Sequence, residues 1–240
     1  SRLNNMQLKY YWTEYMSIEM SLSNIKTDII CNEEKEPILL IRNFPALDTI
    51  ARLGNVPIGR IFRPDSHRIV EDFQFSPPVA KKCSSIEGDC PGIQREIHTA
   101  LHTASQYCAK VGDLRMASLL SSWALRKFWS GPGFIAYGVD GFMTTHRDKA
   151  ELSAETGLPL HDGLLVTLNL GLACHASFCT RSGKMYTRCI PSNSVLIFDG
   201  VLTAHSIDNV VEGSCPPALS EKYPCLREHR LAVLCRQRIR

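Results

Sequence analysis

The chain lacks the sequence features that are typical of membrane and secreted proteins. It contains no run of about 18 or more apolar residues, the length that a transmembrane helix requires. Its first residues, Ser1–Asn5, do not form the charged-then-apolar pattern of a secretion signal. We therefore expect a soluble, intracellular protein without a membrane partner. Nucleus, cytoplasm and mitochondrion are not distinguished, and nothing in the sequence indicates the oligomeric state.

Paired cysteines are also lacking. The chain has ten cysteines but no C-x-x-C pair, which makes a zinc ribbon unlikely by spacing. A disulfide framework is unusual in a chain of this length without a secretion signal. We expect mostly buried, reduced thiols.

A strong excess of charge of either sign is absent. The net charge of +3 is too small to indicate a nucleic-acid-binding protein by itself. Basic residues are nevertheless concentrated at the C-terminal end, which has Glu228 as its single acidic residue: Arg227, Arg230, Arg236, Arg238 and Arg240. For Arg238 and Arg240, contact with phosphate and simple solvation are both open.

The length of 240 residues and a hydrophobic content of 44% predict a packed globular fold. Residues 1–36 are interpreted as an N-terminal arm and 37–240 as one domain. Within that domain, residues 37–133 are expected to form a helical, loop-rich support and substrate flap, and 134–240 the core.

Helical periodicity predicts two helices, over residues 93–110 and 114–129, that support a sheet. A short strand is predicted over 37–44 and a short helix over 47–53, whereas five prolines indicate loops over 56–91. His98 and His102 have a spacing that is able to bind metal, but no further ligand lies nearby in the sequence.

From residue 134 onward, short β-suited runs alternate with turn residues. Strands are predicted over 134–137, 142–148, 164–170, 175–179, 184–190, 195–198 and 230–236. Many short strands after a helical layer indicate an α+β fold, with a double-stranded β-helix (jelly-roll) core and supporting helices.

The motif that suggests chemistry is His146-Arg147-Asp148. Two imidazoles and one carboxylate are the ligands that bind non-haem Fe(II) on one face and leave the other face open. On an extended strand, alternate side chains share a face. Phe142, Thr144, His146 and Asp148 are therefore expected on one face, and Met143, Thr145 and Arg147 on the other.

His205 and Arg230 complete the candidate site. His205 follows a predicted strand, turn and strand that would return it to His146 if the roll closes. Arg230 and Arg236 are six residues apart on the last strand, so that alternation places both on one face. A guanidinium at the bottom of such a cavity suits bidentate binding of a carboxylate.

The order of these motifs resembles the AlkB family of Fe(II)- and 2-oxoglutarate-dependent dioxygenases, and within it the ALKBH1-like branch. The resemblance covers roughly residues 134–236. It consists of Tyr137 nine residues before His146, the pattern His146-x-Asp148-x-x-Glu151, the strand end Leu168–Gly171, His205, and the ending Arg230-x5-Arg236.

The resemblance implies that His146, Asp148 and His205 ligate Fe(II) and that Arg230 binds the distal carboxylate of 2-oxoglutarate. It further implies that Tyr137 hydrogen-bonds this cosubstrate, that Arg236 lies towards the mouth of the site, and that O2 is consumed. The implied activity is oxidation of a methyl group on a base of DNA or RNA, with oxidative N-demethylation as the outcome. Phe62, Phe73 and Phe75 would then be possible stacking partners for the base.

Two residues depart from the family pattern. Ile135 stands where the family commonly has an asparagine two residues before the tyrosine, and Ala150 stands where some members have an acidic residue that contacts the base. Both departures concern cosubstrate and base contacts and not the iron ligands. Two alternatives therefore stay open: a hydroxylase of a pyrimidine methyl group, similar to the TET and J-base enzymes, and a catalytically silent nucleic-acid- or protein-binding module.

Overall fold

The computed structural model describes residues 25–33, 36–44, 68–69, 83–87, 93–126, 128, 133–148 and 163–237. Within these residues the chain forms two antiparallel sheets and a helical layer. The strands are Lys26–Cys31 (β1), Ile38–Arg42 (β2), Arg68–Ile69 (β3), Cys83–Glu87 (β4), Gly133–Gly138 (β5), Met143–His146 (β6), Leu164–Gly171 (β7), Ala173–Cys179 (β8), Met185–Ile190 (β9), Ser194–Asp199 (β10), Ala204–Val211 (β11) and His229–Arg236 (β12). The helices are Ile93–Lys110 (α1), Leu114–Ala124 (α2) and Pro217–Lys222 (α3), and Pro224–Arg227 is a 3-10 helix.

The large sheet has the strand order β1-β2-β10-β7-β12-β5-β4-β3, and the small sheet has the order β6-β11-β8-β9. Side chains from β2, β7 and β10 pack against β8 and the end of β9, which joins the two sheets face to face. The opposite face of the large sheet packs against α1 and α2. The predicted fold class, an α+β protein with a jelly-roll core and a supporting helical layer, is confirmed.

Strand β7 lies near the middle of the large sheet, between β10 and β12, and all eight of its residues are buried. Its near-continuous apolar sequence suits a strand that is covered on both faces. The residues Leu164, Val166, Leu168 and Leu170 pack into the cluster with the helices. The alternate residues Leu165, Thr167 and Asn169 face the space between the two sheets.

The predicted strands over residues 134–236 are all present, with shifts of one or two residues at their ends. Helix α1 has the predicted bounds, but α2 ends at Ala124 and not at residue 129. The apolar periodicity continued to Phe128, which is buried for a different reason: it forms a β-bridge with Gln237. Leu125, the C-terminal cap of α2, is 87% exposed.

Two regions are corrected by the sheet topology. Residues 26–31, assigned above to an N-terminal arm, form β1 at one edge of the large sheet and pair with β2. Residues 83–87, assigned to loops, form β4 and pair with β5. Neither segment alternates strongly between apolar and polar residues in sequence. Each is recognisable as a strand only from its pairing with the neighbouring strand.

Several predictions concern residues outside the described ranges. These are the helix over 47–53, Phe62, Phe73, Phe75, Ala150, Glu151, Arg238 and Arg240. None of the eight cysteines whose side chains are described forms a disulfide, and Cys31, Cys108, Cys174 and Cys235 are buried. No helix in the described part of the chain combines the length and apolarity that a membrane span needs.

Candidate metal and dicarboxylate site

Three candidate metal ligands converge where the small sheet meets the turn after β10. His146 ends β6, His205 is the second residue of β11, and the two are direct cross-strand partners. Asp148 follows β6 by two residues. The Asp148 Oδ1 atom lies 3.7 Å from His146 Nε2 and 3.9 Å from His205 Nε2. One ligand atom from each residue lies within 4.8 Å of the others, as a shared metal ion requires.

Both histidines are oriented by their own backbone. The Nδ1 atom of His146 donates to the carbonyl of Thr144 at 2.9 Å, and that of His205 donates to the carbonyl of Thr203 at 3.0 Å. Because a carbonyl oxygen accepts only, each Nδ1 carries a proton, and each Nε2 atom is turned towards Asp148. Hydrogen bonds of this kind orient metal-binding imidazoles in proteins generally.

Burial lowers the pKa of His205, and the nearby His146 acts in the same direction, whereas Asp148 opposes the shift. A lowered pKa keeps the His205 imidazole neutral at physiological pH. A neutral imidazole is the form that ligates a metal ion.

Strand alternation on β6 differs from the prediction. Met143 was expected on the face opposite His146, but both residues line the same cavity. The register explains this difference: His205 pairs with His146 and Ile207 with Met143, so that three steps on β6 match two on β11. This irregularity turns Met143 inward. Asp148 lies beyond the strand, and its direction is set by other contacts.

The turn between β10 and β11 positions Asp148. The backbone N–H of Asp148 donates to the carbonyl of Gly200 at 2.8 Å. A Cβ atom on Gly200 would lie 2.5 Å from Asp148 Oδ2, so a side chain at position 200 would displace the Asp148 carboxylate. Arg147 is exposed and donates from Nε to the carbonyl of Leu202 at 2.9 Å.

Asp199 stabilises the same turn. Its Oδ1 atom accepts hydrogen bonds from the backbone N–H groups of Val201 at 2.9 Å and Leu202 at 2.8 Å. Burial raises the pKa of this carboxyl group, and the two backbone hydrogen bonds partly oppose the rise. The turn leads directly into His205, so Asp199 supports the site without being among the metal-ligand candidates.

Arg230 is buried on β12 and is 2% exposed. Its Nη2 atom donates to Asn169 Oδ1, while its Nε and Nη1 atoms are buried without a hydrogen-bond partner among the described residues. Burying a charged group without partners is costly. The unpaired nitrogens therefore indicate that an anionic group completes the site.

The candidate ligands and Arg230 line one cavity of about 610 Å³, which includes space open to solvent. Tyr137, Thr167 and Asn169 add polar groups to its wall, and the remaining lining is largely apolar. Arg236 also contributes, with its Nη2 atom 3.9 Å from Asp148 Oδ2. The cavity therefore combines a potential cation site, a buried guanidinium and apolar walls.

All six residues singled out from the sequence line this cavity: Tyr137, His146, Asp148, His205, Arg230 and Arg236. Their individual roles stay predictions. Two further histidines lie elsewhere, with His175 hydrogen-bonded to Asn209 and His229 to the carbonyl of Cys225. His98 and His102 are exposed on α1 and hydrogen-bond to glutamines, not to further metal ligands.

Sequence reasoning did not assign roles to Asn169, Asp199 and Gly200. Asn169 had a detectable signal, because an amide in the middle of an otherwise apolar strand needs buried hydrogen-bond partners. Asp199 and Gly200 lacked such a signal. Asp-Gly indicates a turn but not what the turn contacts, and only the closed roll brings Gly200 against Asp148.

No protein-family model matches the chain, and no curated protein matches it in sequence at a significant level. Its fold is similar to that of OsALKBH1, with a TM-score of 0.47 and 17% identity over 65% of this chain and 77% of that chain. A Pseudomonas putida prolyl-4-hydroxylase matches with a TM-score of 0.46 and 12% identity over 93% of this chain and 98% of that chain. A prolyl hydroxylase from Trichoplax adhaerens, in complex with a hypoxia inducible factor peptide fragment, matches with a TM-score of 0.43 and 10% identity over 98% of this chain and 94% of that chain. Similarities at these scores do not establish function, which depends on the site itself.

Proposed function

We propose that the protein is an Fe(II)- and 2-oxoglutarate-dependent dioxygenase that oxidises a methyl group on a nucleic-acid base. The observation that carries the proposal is the presence, in one cavity, of three metal-ligand atoms and a buried guanidinium with two unpaired nitrogens. Either feature alone occurs in many proteins. Their combination matches a cosubstrate that binds a metal at one end and an arginine at the other.

The donor set fits Fe(II). The imidazoles of His146 and His205 and the carboxylate of Asp148 form a two-histidine, one-carboxylate set on one side of the metal position. The described ligand atoms come from three residues only, which leaves coordination positions for the cosubstrate and O2. When bound, the iron supplies the oxidation of 2-oxoglutarate to succinate and CO2 that is coupled to hydroxylation of a C–H bond.

The polar wall of the cavity fits 2-oxoglutarate. Arg230 would pair with its distal carboxylate through Nε and Nη1, which have no partner among the described residues. Tyr137, paired with Arg230 across β5 and β12, lies at the same level of the sheet. Ala232 and Leu234, which follow Arg230 at alternate positions along β12, would contact the apolar methylene groups.

Arg236 is the last residue of β12 and lines the cavity at the end opposite Arg230 in the strand. Its Nη2 atom lies 3.9 Å from Asp148 Oδ2, so the guanidinium faces the carboxylate that would ligate the metal. Its side chain is 21% exposed. Arg236 is therefore able to contact both the site and an incoming anionic substrate.

A nucleic-acid substrate is supported by the sequence resemblance to the AlkB family and by arginines around the site. Arg147 and Arg236 flank Asp148, and Arg238 and Arg240 follow in the sequence. Phosphate groups are the anions that such arginines bind in nucleic acids. A base that reaches a buried metal must be single-stranded or flipped out of a duplex.

The test is turnover of methylated oligonucleotides. Fe(II)-loaded protein is incubated with 2-oxoglutarate and single- or double-stranded DNA or RNA that carries N-methylated bases, and succinate and formaldehyde are measured. We expect both products in equal amounts, because a hydroxylated N-methyl group releases formaldehyde. The variants His146→Ala and Asp148→Ala are the matched controls and should release neither product.

Each outcome has a distinct meaning. A stable 5-hydroxymethyl base without formaldehyde would favour hydroxylation of a pyrimidine methyl group. Normal Fe(II) binding without turnover of any methylated DNA or RNA would contradict the substrate class. A biological effect that survives both alanine substitutions would favour the silent binding module.

A further inference from the structure

Asn169 is held in one orientation at the centre of β7. Its side chain is fully buried, and its amide nitrogen donates to the carbonyls of Thr167 at 3.0 Å and Ser194 at 3.3 Å. A flipped amide would direct its oxygen at these two carbonyls and its N–H groups at the guanidinium of Arg230. The observed orientation is therefore strongly preferred, and the amide oxygen is directed at Arg230 Nη2.

The partner that Arg230 has in the protein is neutral. Among the residues that the structure describes, no carboxylate forms an ion pair with this guanidinium, and Nε and Nη1 are unpaired. An aspartate at position 169 would have nearly the same shape and would neutralise the charge of Arg230. The amide holds the guanidinium in place while its positive charge remains available.

We propose that Asn169 is the positioning residue of the dicarboxylate subsite. It holds Nη2 of Arg230, so that Nε and Nη1 remain for the distal carboxylate of the ligand. Because it is neutral, it also preserves the charge that selects a second carboxylate. This inference rests on the proposed function, since it takes the ligand to be 2-oxoglutarate.

The test compares two keto acids that share the metal-binding end. 2-Oxobutyrate lacks the distal carboxylate that 2-oxoglutarate has. Their dissociation constants are measured by calorimetry on the Fe(II)-loaded protein without O2, for the wild type and for Asn169→Asp. We expect 2-oxoglutarate to bind at least about tenfold more weakly to Asn169→Asp, because the buried charge of Arg230 is already compensated. The affinity for 2-oxobutyrate should not change.

A purely structural role for Asn169 would lower the affinities for both keto acids together and would overturn the proposal. Asn209→Asp makes the same substitution on the exposed face of β11 and should leave both affinities unchanged. If Asn169→Asp does not fold, Asn169→Ala replaces it and should weaken 2-oxoglutarate binding selectively, since it removes the partner of Nη2.

The failures of this inference and of the proposed function are distinguishable. A wild-type protein that does not prefer 2-oxoglutarate over 2-oxobutyrate would contradict the dicarboxylate assignment itself. A wild type that prefers 2-oxoglutarate, together with an Asn169→Asp variant that prefers it equally, would contradict only the role of Asn169.

Discussion

The two faces of β7 are equally buried but have different surroundings. Leu168 on one face contributes to the cluster with the helices, whereas its neighbour Asn169 on the other faces the cavity. Their exposed fractions are 1% and 0%. Burial therefore does not distinguish the two faces of β7. They differ in the polarity of their side chains and in whether they pack against helices or line the cavity.

On the helix-covered face, the side chains of β7 are apolar and pack into the cluster with the helices, so that this face contributes chiefly to folding stability. The cavity face contains a buried charge with unpaired nitrogens and space for a ligand. Such features cost stability and are retained where a ligand completes them. Substitutions on the two faces should therefore have separable effects on ligand binding and on folding.

The largest effect on ligand binding is expected from Arg230→Met. Removal of the guanidinium should weaken 2-oxoglutarate binding by roughly 100-fold or more, because a buried charged partner of the carboxylate is lost. The thermal midpoint should not fall comparably, because a buried and incompletely paired charge is removed as well. Calorimetry and thermal unfolding of the same preparations measure the two effects. A large loss of stability with unchanged affinity would reverse the assignment of this face.

The complementary substitution is Leu168→Ala on the helix-covered face. We expect the free energy of unfolding to fall by about 2–5 kcal/mol, because the lost side chain leaves a cavity in the core. The 2-oxoglutarate affinity of the folded protein should stay within about twofold, since sites without shared partners act independently. Denaturant unfolding and calorimetry check both values. Reduced affinity in fully folded protein would show that the faces are coupled.

The smallest effect is expected from Asp199→Asn, and it depends on pH. Because burial raises the pKa of Asp199 above its usual value of 3.8, this group stabilises the folded state most below that value. The contribution is lost as the pH rises through the folded pKa. The asparagine variant has no such titration, so its stability relative to the wild type should increase with pH over this window. Unfolding measured in acidic and neutral buffers tests the sign, and a difference that is constant with pH would contradict it.

Much of the candidate site was predictable from local sequence. Arg230 and Arg236 lie on one strand, where alternation places both on one face. His146 and Asp148 lie two residues apart in the sequence, but the direction of Asp148 depends on its contact with Gly200. Met143 was placed on the wrong face because alternation assumes a regular strand, and the irregular pairing of β6 with β11 is a property of two strands. Strands β1 and β4 were missed for the same reason, since their order depends on pairing partners.

The sequence by itself determined the fold class and the chemical types at the site: two imidazoles, one carboxylate and a late arginine. These follow from periodicity and from the side chains themselves. Only the tertiary structure decided that Gly200 lies against Asp148, and that Arg230 pairs with the neutral amide of Asn169 and leaves two nitrogens unpaired. The physical reason is that hydrogen-bond satisfaction in a closed roll joins residues far apart in sequence, such as Asn169 and Arg230, which are 61 positions apart, and no local pattern encodes this pairing.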